Sequence, residues 1–439
     1  MNRPLLSPFQ KFVRIESFGG ILLVGSTILA LLWANSSLGG SYESLWNYQI
    51  GIKTPDFELV KPLRLWVNDG LMTIFFFLIG LEIKRELLVG ELNSVRKAAF
   101  PFLAALGGML APAFIFLVLN RNPETLSGWG IPIATDIAFS LAILRLLGKR
   151  IPLSLKVFLT AFAIVDDLGA VIVIALFYGH GLNWILLISG LAVIFLLALI
   201  IRAHLYSKYL VLIFGLIAWV LFLKSGIHPT IAGVFLAFTV PILQRTDLKT
   251  YSENLSSIAS DLQNCPVQEK PILTSKQIGR IDDLESLTLQ VQSPLQHLEH
   301  KLHNWVAWLI MPLFALANAG VVIANPGNMD FSLIFNLSAS LIVGKSLGIT
   351  LFSYIGLKTR IIELPAGVNM KQVTGVALLA GVGFTMSLFI AGLAFSGNTG
   401  MTDSAKLGIL GGSLISGLAG YLVLRNISDH RPSKDENPG

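Results

Sequence analysis

The sequence predicts an all-α polytopic membrane protein of about twelve transmembrane helices with a small β-hairpin outside the membrane. Three observations predict it. The chain is 54% hydrophobic and only 13% charged, where a soluble domain carries about 25% charged residues. Apolar segments long enough to cross about 30 Å of hydrocarbon recur along nearly all of its length. Lys and Arg also segregate between the connections, with 25 of the 32 on one side and 6 on the other, as the positive-inside rule requires. The basic residues are scattered among the spans, so the net charge of +6 reports topology and does not point to nucleic acid.

Residues 1–16 are expected to be a cytoplasmic segment, basic and too poor in apolar residues for a cleavable signal peptide. Helices one to eight are expected within 17–243, near 17–35, 63–89, 97–119, 128–147, 153–177, 183–201, 208–223 and 227–243. Helices nine to twelve are expected within 294–425, near 294–322, 331–357, 371–395 and 403–425, followed by a cytoplasmic tail at 426–439. The basic residues place both termini inside.

Two polar segments interrupt this pattern. Near 45–62, YQIGIKTPDFELV alternates apolar and polar residues around Pro55-Asp56, the signature of a hairpin. An isolated hairpin is marginal in water, so it either pairs with another subunit as a homodimer or folds over its own protein. On the inside, 244–293 is too long for a simple connection. Ile278, Ile281, Leu284, Leu287 and Val291 follow helical spacing there, predicting an amphipathic helix on the membrane surface. Ser293-Pro294-Leu295-Gln296 then reads as a capping box opening helix nine. The single cysteine, Cys265, lies in this loop and excludes an intramolecular disulfide.

Four polar groups lie at membrane depth. Asp166 and Asp167 stand side by side in FLTAFAIVDDLGAVIVIALFY, where a carboxylate at the bilayer centre costs roughly 2.5–3.5 kcal/mol. They must face protein or a water-filled cavity. Thr135-Asp136 follows Pro132 in helix four, Lys345 lies within helix ten, and helix eleven carries Gly381 and Gly383 close to Thr385 and Ser387. Helices four and eleven are thus expected to be interrupted and to cross. They hold matching places in two three-helix repeats near 97–177 and 331–425, inverted relative to one another, which is the sequence pointer to a transporter binding site. Broken helices leave partial charges at their ends, which Asp136 and Lys345 could balance, or the two could simply stabilise the crossing.

Adjacent helical residues point about 100° apart, so the two aspartates should have different neighbours, one at a cavity and one toward Lys345. The bland alternative is a structural ion pair alone. Carboxylate, hydroxyl and carbonyl oxygens suit a hard cation. Desolvation and a like-charged neighbour favour the protonated form of a carboxylate, so protons and a cation can compete for the same oxygens. If two carboxyls take up protons where one monovalent ion leaves, the exchange moves net charge.

These stretches resemble the NhaA-type sodium/proton antiporters. The resemblance runs from about Phe18 to Arg425 through LMTIFFFLIGLEIKREL, IPIATDIAFSLAIL, FLTAFAIVDDLGAVIVIALFY, KSGIHPTIAGV, LIMPLFALANAGV, VGKSLGI and GVGFTMSLFIAGLAF, in that order. It implies an electrogenic sodium or lithium/proton antiporter working by alternating access, pH-regulated, with no cofactor and no enzymatic activity. It implies Asp167 as the principal cation and proton carboxylate. Asp166 is implied as a partner that joins sodium binding or forms a proton-sensitive salt bridge with Lys345. Thr135 and Asp136 match the interrupted helix beside the ion site. Glu82, Arg85, Glu86, Glu299, His300 and His303 match a pH-response cluster, for which a solvated charged rim is the alternative, and His228 matches a further family position. The loop at 244–293 is longer than the family pattern. A sodium-coupled solute symporter on a related inverted-repeat fold is the second reading, and an intramembrane aspartyl protease using Asp136 and Asp167 the third.

Overall fold

A computed structural model describes residues 8–55, 58–179, 181–203, 205–244, 246–263, 272–322 and 329–427. The chain is mostly helical. Helix α1 spans Pro8–Ala34 and turns by 114° into the short α2, Gly39–Trp46. Strands β1, Gln49–Lys53, and β2, Glu58–Pro62, then pair antiparallel, with Gln49 opposite Pro62 and Lys53 opposite Glu58. The expected hairpin is therefore present, although Asp56 at its tip lies outside the described residues. It is strapped to its own chain: Trp66 Nε1 donates to the Ile50 carbonyl at 2.8 Å, and Lys224 Nζ to that of Glu58 at 2.6 Å.

A π-helical turn, Trp66–Leu71, leads into α3, Met72–Val89. Helix α4, Val95–Leu119, starts at Ser94, whose hydroxyl accepts from the Lys97 N–H. A 3₁₀ segment, Pro123–Ile133, and helix α5, Ile137–Leu146, meet at 50°. Next come α6, Leu153–Phe177, α7, Trp184–Arg202, and α8, Lys208–Ser225. Helix α8 stops at Gly226, whose φ of 87° suits a residue without a Cβ. The ten-residue α9, Thr230–Thr239, packs against α3.

The polar loop contains two helices where one was expected: α10, Leu248–Gln263, and α11, Ser275–Val291. They pack together, with Arg280 2.8 Å from Asp261 and the hydroxyls of Tyr251 and Thr288 3.4 Å apart. Leu284, Leu287 and Val291 are half-buried beside Thr288, so part of the apolar stripe turns toward α10. Ile278 and Ile281 stay exposed. Cys265 lies outside the described residues.

Helix α12, Pro294–Trp305, begins with Ser293 and Pro294 as expected, but the predicted capping box is not formed, because the Ser293 hydroxyl makes no capping bond. Formed boxes occur at Thr274–Gln277 and Asn369–Gln372. A π turn, Val306–Ile310, joins α12 to α13, Met311–Asn318. Helix α14, Phe331–Lys358, contains the π turn Ser340–Gly344 immediately before Lys345. Helices α15, Met370–Ala380, and α16, Phe384–Ala394, meet at 44°, and α17 spans Thr399–Ile427.

Among the described residues, six helices are long and apolar enough to cross a membrane, or nine if each bent pair is one span. Helix α3 fails that test through its charges, Glu82, Lys84, Arg85 and Glu86. Helix α9 is short, and the run from α12 to α13 is divided by its π turn.

The two bends cross. The Asp136 N–H donates to the Val382 carbonyl at 2.7 Å, and the Thr135 hydroxyl to that of Ala380 at 2.9 Å. Ser140 and Ser387 tie their hydroxyls to the carbonyls of Leu379 and Ile131. A Cβ on Gly383 would lie 2.9 Å from the Ala134 carbonyl oxygen, so this approach needs a glycine. The unwound backbone is thus paired inside protein, as a membrane interior demands.

Candidate ion-binding site

The site is assembled from α6, α14 and the crossing. Lys345 Nζ donates to Asp166 Oδ2 at 2.8 Å and to the Thr135 hydroxyl at 2.7 Å, and the Lys345 and Asp166 side chains are both 0% exposed. The Phe162 ring lies 5.9 Å from Nζ. The Lys345 charge is therefore matched by Asp166, one residue along α6 from Asp167. Removing one partner of a buried pair strands the other and costs about 3–5 kcal/mol.

Asp167 is turned elsewhere, as the 100° helical step requires. It lines a cavity of about 60 Å³ together with Thr135, Asp136, Thr160, Thr385, Glu82 and His303. Its Oδ1 is buried with no hydrogen-bond partner among the described residues, as is Asp166 Oδ1. Such an oxygen costs about 1–3 kcal/mol when left unmatched, so Asp167 offers a cation or proton a place where it replaces lost solvation.

Asp136 binds the crossing together. One oxygen accepts from the Phe139 N–H at 3.0 Å, capping α5. The other accepts from the Thr385 N–H at 3.2 Å and its hydroxyl at 2.5 Å, at the start of α16. One carboxylate thus faces the positive ends of two helices. Lys345 Nζ donates to the Thr135 hydroxyl, which donates in turn to the Ala380 carbonyl at the end of α15, so its charge lies near that helix end. With both its oxygens engaged, Asp136 is poorly placed to share a proton with Asp167, which weighs against the aspartyl protease reading.

At the end of α3 far from the hairpin, Arg85 lies 3.0 Å from Glu86 and 3.2 Å from Glu299, and His303 Nδ1 lies 3.8 Å from Glu82 Oε1. Five of the six residues assigned to the charged cluster thus adjoin one another, and His300 is exposed on α12 beside Glu299. Glu82 and His303 also line the Asp167 cavity, a link not legible from their positions in sequence. Sequence reasoning missed Thr160, seven residues before Asp167 on the same face. It also missed Asp69, which is 2.5 Å from Lys61 and 3.9 Å from His228. A lone carboxylate in the apolar stretch WVNDGLMTIFFF was the available signal.

Apolar helices long enough to cross a membrane, with buried carboxylates on a cavity among them, define a multi-pass membrane protein. A family model described as Na+/H+ antiporter 1 matches residues 10–424. The chain is 47% identical over 426 residues to the Na(+)/H(+) antiporter NhaA of Oleidesulfovibrio alaskensis, covering 96% of this chain and 94% of that one. It is 43% identical over 440 residues to the protein of that name from Bacteroides thetaiotaomicron, covering 98% and 100%. It is 45% identical over 417 residues to that of Helicobacter pylori, covering 94% of each. The chain belongs to the NhaA family of sodium/proton antiporters.

Proposed function

We propose that this protein exports sodium, or lithium, in exchange for protons by alternating access, and that the exchange is electrogenic and pH-regulated. The observation that carries this reading is the division of labour on α6: Asp167 lines the cavity while Asp166 is held by Lys345. Sodium and protons compete for Asp167. Protonation of Asp166 would dissolve its pair with Lys345, so the two carboxylates titrate as one system. If both take up protons when one sodium leaves, each cycle moves charge. In this state Asp166 is a salt-bridge partner, which favours that role over direct sodium ligation.

We place twelve spans in a bacterial inner membrane with both termini cytoplasmic, the inverted repeats near 97–177 and 331–425 and the hairpin near 45–62 outside, where it joins two copies. Glu82, Arg85, Glu86, Glu299 and His303 form the pH-responsive mouth of the inside route, with His300 at its rim. The cavity size weighs against the symporter reading: about 60 Å³ holds a few waters or a partly hydrated ion, whereas sites for organic molecules run to about 300–1,000 Å³.

The test is Asp167→Asn in proteoliposomes. Sodium-driven and lithium-driven proton flux should both fall to background while the purified protein remains monodisperse. Sodium-driven flux retained in the variant would defeat the assignment.

A further inference from the structure

Phe389 sits on the side of the crossing away from the Glu82–His303 cavity. It lies one helical turn beyond Thr385 on α16, and Thr385 is bonded to Asp136, so the ring is carried by the crossing itself. Its centroid is 5.0 Å from that of His228, 5.6 Å from Phe76 and 6.2 Å from Phe314. Those three rings belong to the turn before α9, to α3 and to α13, and all four residues are buried.

The order of groups along α3 fixes the depth of this cage. Asp69, Phe76 and Glu82 follow one another on that helix and its leading π turn. At 1.5 Å per residue, Phe76 stands about 10 Å from each of the other two. Glu82 lines the cavity that reaches Asp167, with Phe75, Leu78 and Ile79 in its wall, and Phe76 does not line it. Behind the rings, His228 Nε2 lies 3.9 Å from Asp69 Oδ1, and Asp69 Oδ2 lies 2.5 Å from Lys61 of β2. The rings of Phe389, Phe76 and Phe314 therefore lie between the Asp167 cavity and a polar cluster of Asp69, His228 and Lys61. Ordinary core packing does not require a carboxylate, an imidazole and a lysine on the far side of its rings.

We propose that Phe389, caged by Phe76, His228 and Phe314, is the outer barrier of the ion route. This rests on the reading of Asp167 as the ion site and of the hairpin end as outside. Phe389 is a positioning residue that touches neither ion nor proton. It closes the route toward Asp69 while the cavity communicates with the Glu82 end, and it must leave its cage for the opposite access. The parting surface runs between α16, which carries the crossing, and α3, α9 and α13.

The experiment uses full-length protein in oriented proteoliposomes, with Cys265→Ser and Met386→Cys as reporter, because Met386 lines the cavity. A membrane-impermeant methanethiosulfonate should label the parent mainly from the Glu82 end. Phe389→Ala should raise the hairpin-side share of the labelling rate about tenfold, a population shift toward the other access, and add a sodium-independent proton leak. Phe389→Leu, which keeps most of the bulk, should reverse both effects. Unchanged sidedness in a folded Phe389→Ala protein overturns the proposal. Should that variant fail to fold, Phe76→Ala and Phe314→Ala remove the cage instead, and unchanged sidedness in them overturns it equally. Exchange by Asp167→Asn is measured without thiol labelling, so an active variant there removes the ion-site reading on which the proposal rests, whereas unchanged sidedness removes the barrier alone.

Discussion

Asp166 and Asp167 are neighbours in sequence, yet they occupy opposite environments. On one side of α6 the charges are matched: Asp166 and Lys345 form a dry pair, with Thr135 relaying the lysine to the Ala380 carbonyl. On the other side Asp167 faces a cavity that Glu82 and His303 also line. The helical step of about 100° is enough to make this division. It teaches that fixed and exchangeable charge can share one helical turn, provided that a cation is buried against one carboxylate and a void against the other.

The comparison can be broken first from the paired side. Lys345→Ala should strand Asp166 and destabilise the protein by about 3–5 kcal/mol, seen as a large fall in Tm in detergent. Asp166→Asn with Lys345→Met should recover most of that stability and still lack coupled exchange. If the double variant exchanged normally, the pair would be scaffold alone.

Asp136→Ala should come next, because it removes one carboxylate from two helix starts and leaves the Thr385 hydroxyl without its acceptor. The expected cost is about 2–3 kcal/mol, measured by denaturation. Thr385→Val should cost about half as much. A null result in both would mean that the bends are held by their backbone contacts without help from the carboxylate.

The open side is sharpened by smaller effects. Glu82→Gln takes one negative charge from the cavity that Asp167 faces, so a proton should be released from the site more readily. The pH at which exchange reaches half its maximum should therefore move downward, by about half a unit, in flux measured across pH. An upward shift would contradict the shared-cavity geometry. The smallest expected effect is that of Thr160→Val, which deletes a hydroxyl from the cavity wall. It should raise the apparent KM for sodium about two- to threefold with little change in maximal rate.

Much of the site was legible because a charge in an apolar span is costly wherever it appears, and so stands out without any knowledge of its neighbours. Asp166, Asp167, Asp136 and Lys345 were visible for that reason. The bend before Asp136 was signalled by Pro132 and that of helix eleven by Gly381 and Gly383, since each weakens a continuous helix. The second helix of the polar loop, Leu248–Gln263, was missed because its apolar positions are few and it gains order by packing on Ser275–Val291. The expected capping box at Ser293 failed for a related reason: the motif supplies the side chain, but its rotamer is set by surroundings that the motif does not contain.

That this chain crosses a membrane many times, how its loops divide their charge and which buried groups need an explanation could all be read from the residues alone. Those conclusions rest on solvation and helical period, properties of each segment taken alone. The pairing of Lys345 with Asp166, the service of Asp136 to two helix starts and the reach of Glu82 and His303 to the Asp167 cavity emerged with the folded chain. Each of those joins residues far apart in the chain, and their meeting depends on how the bent helices cross.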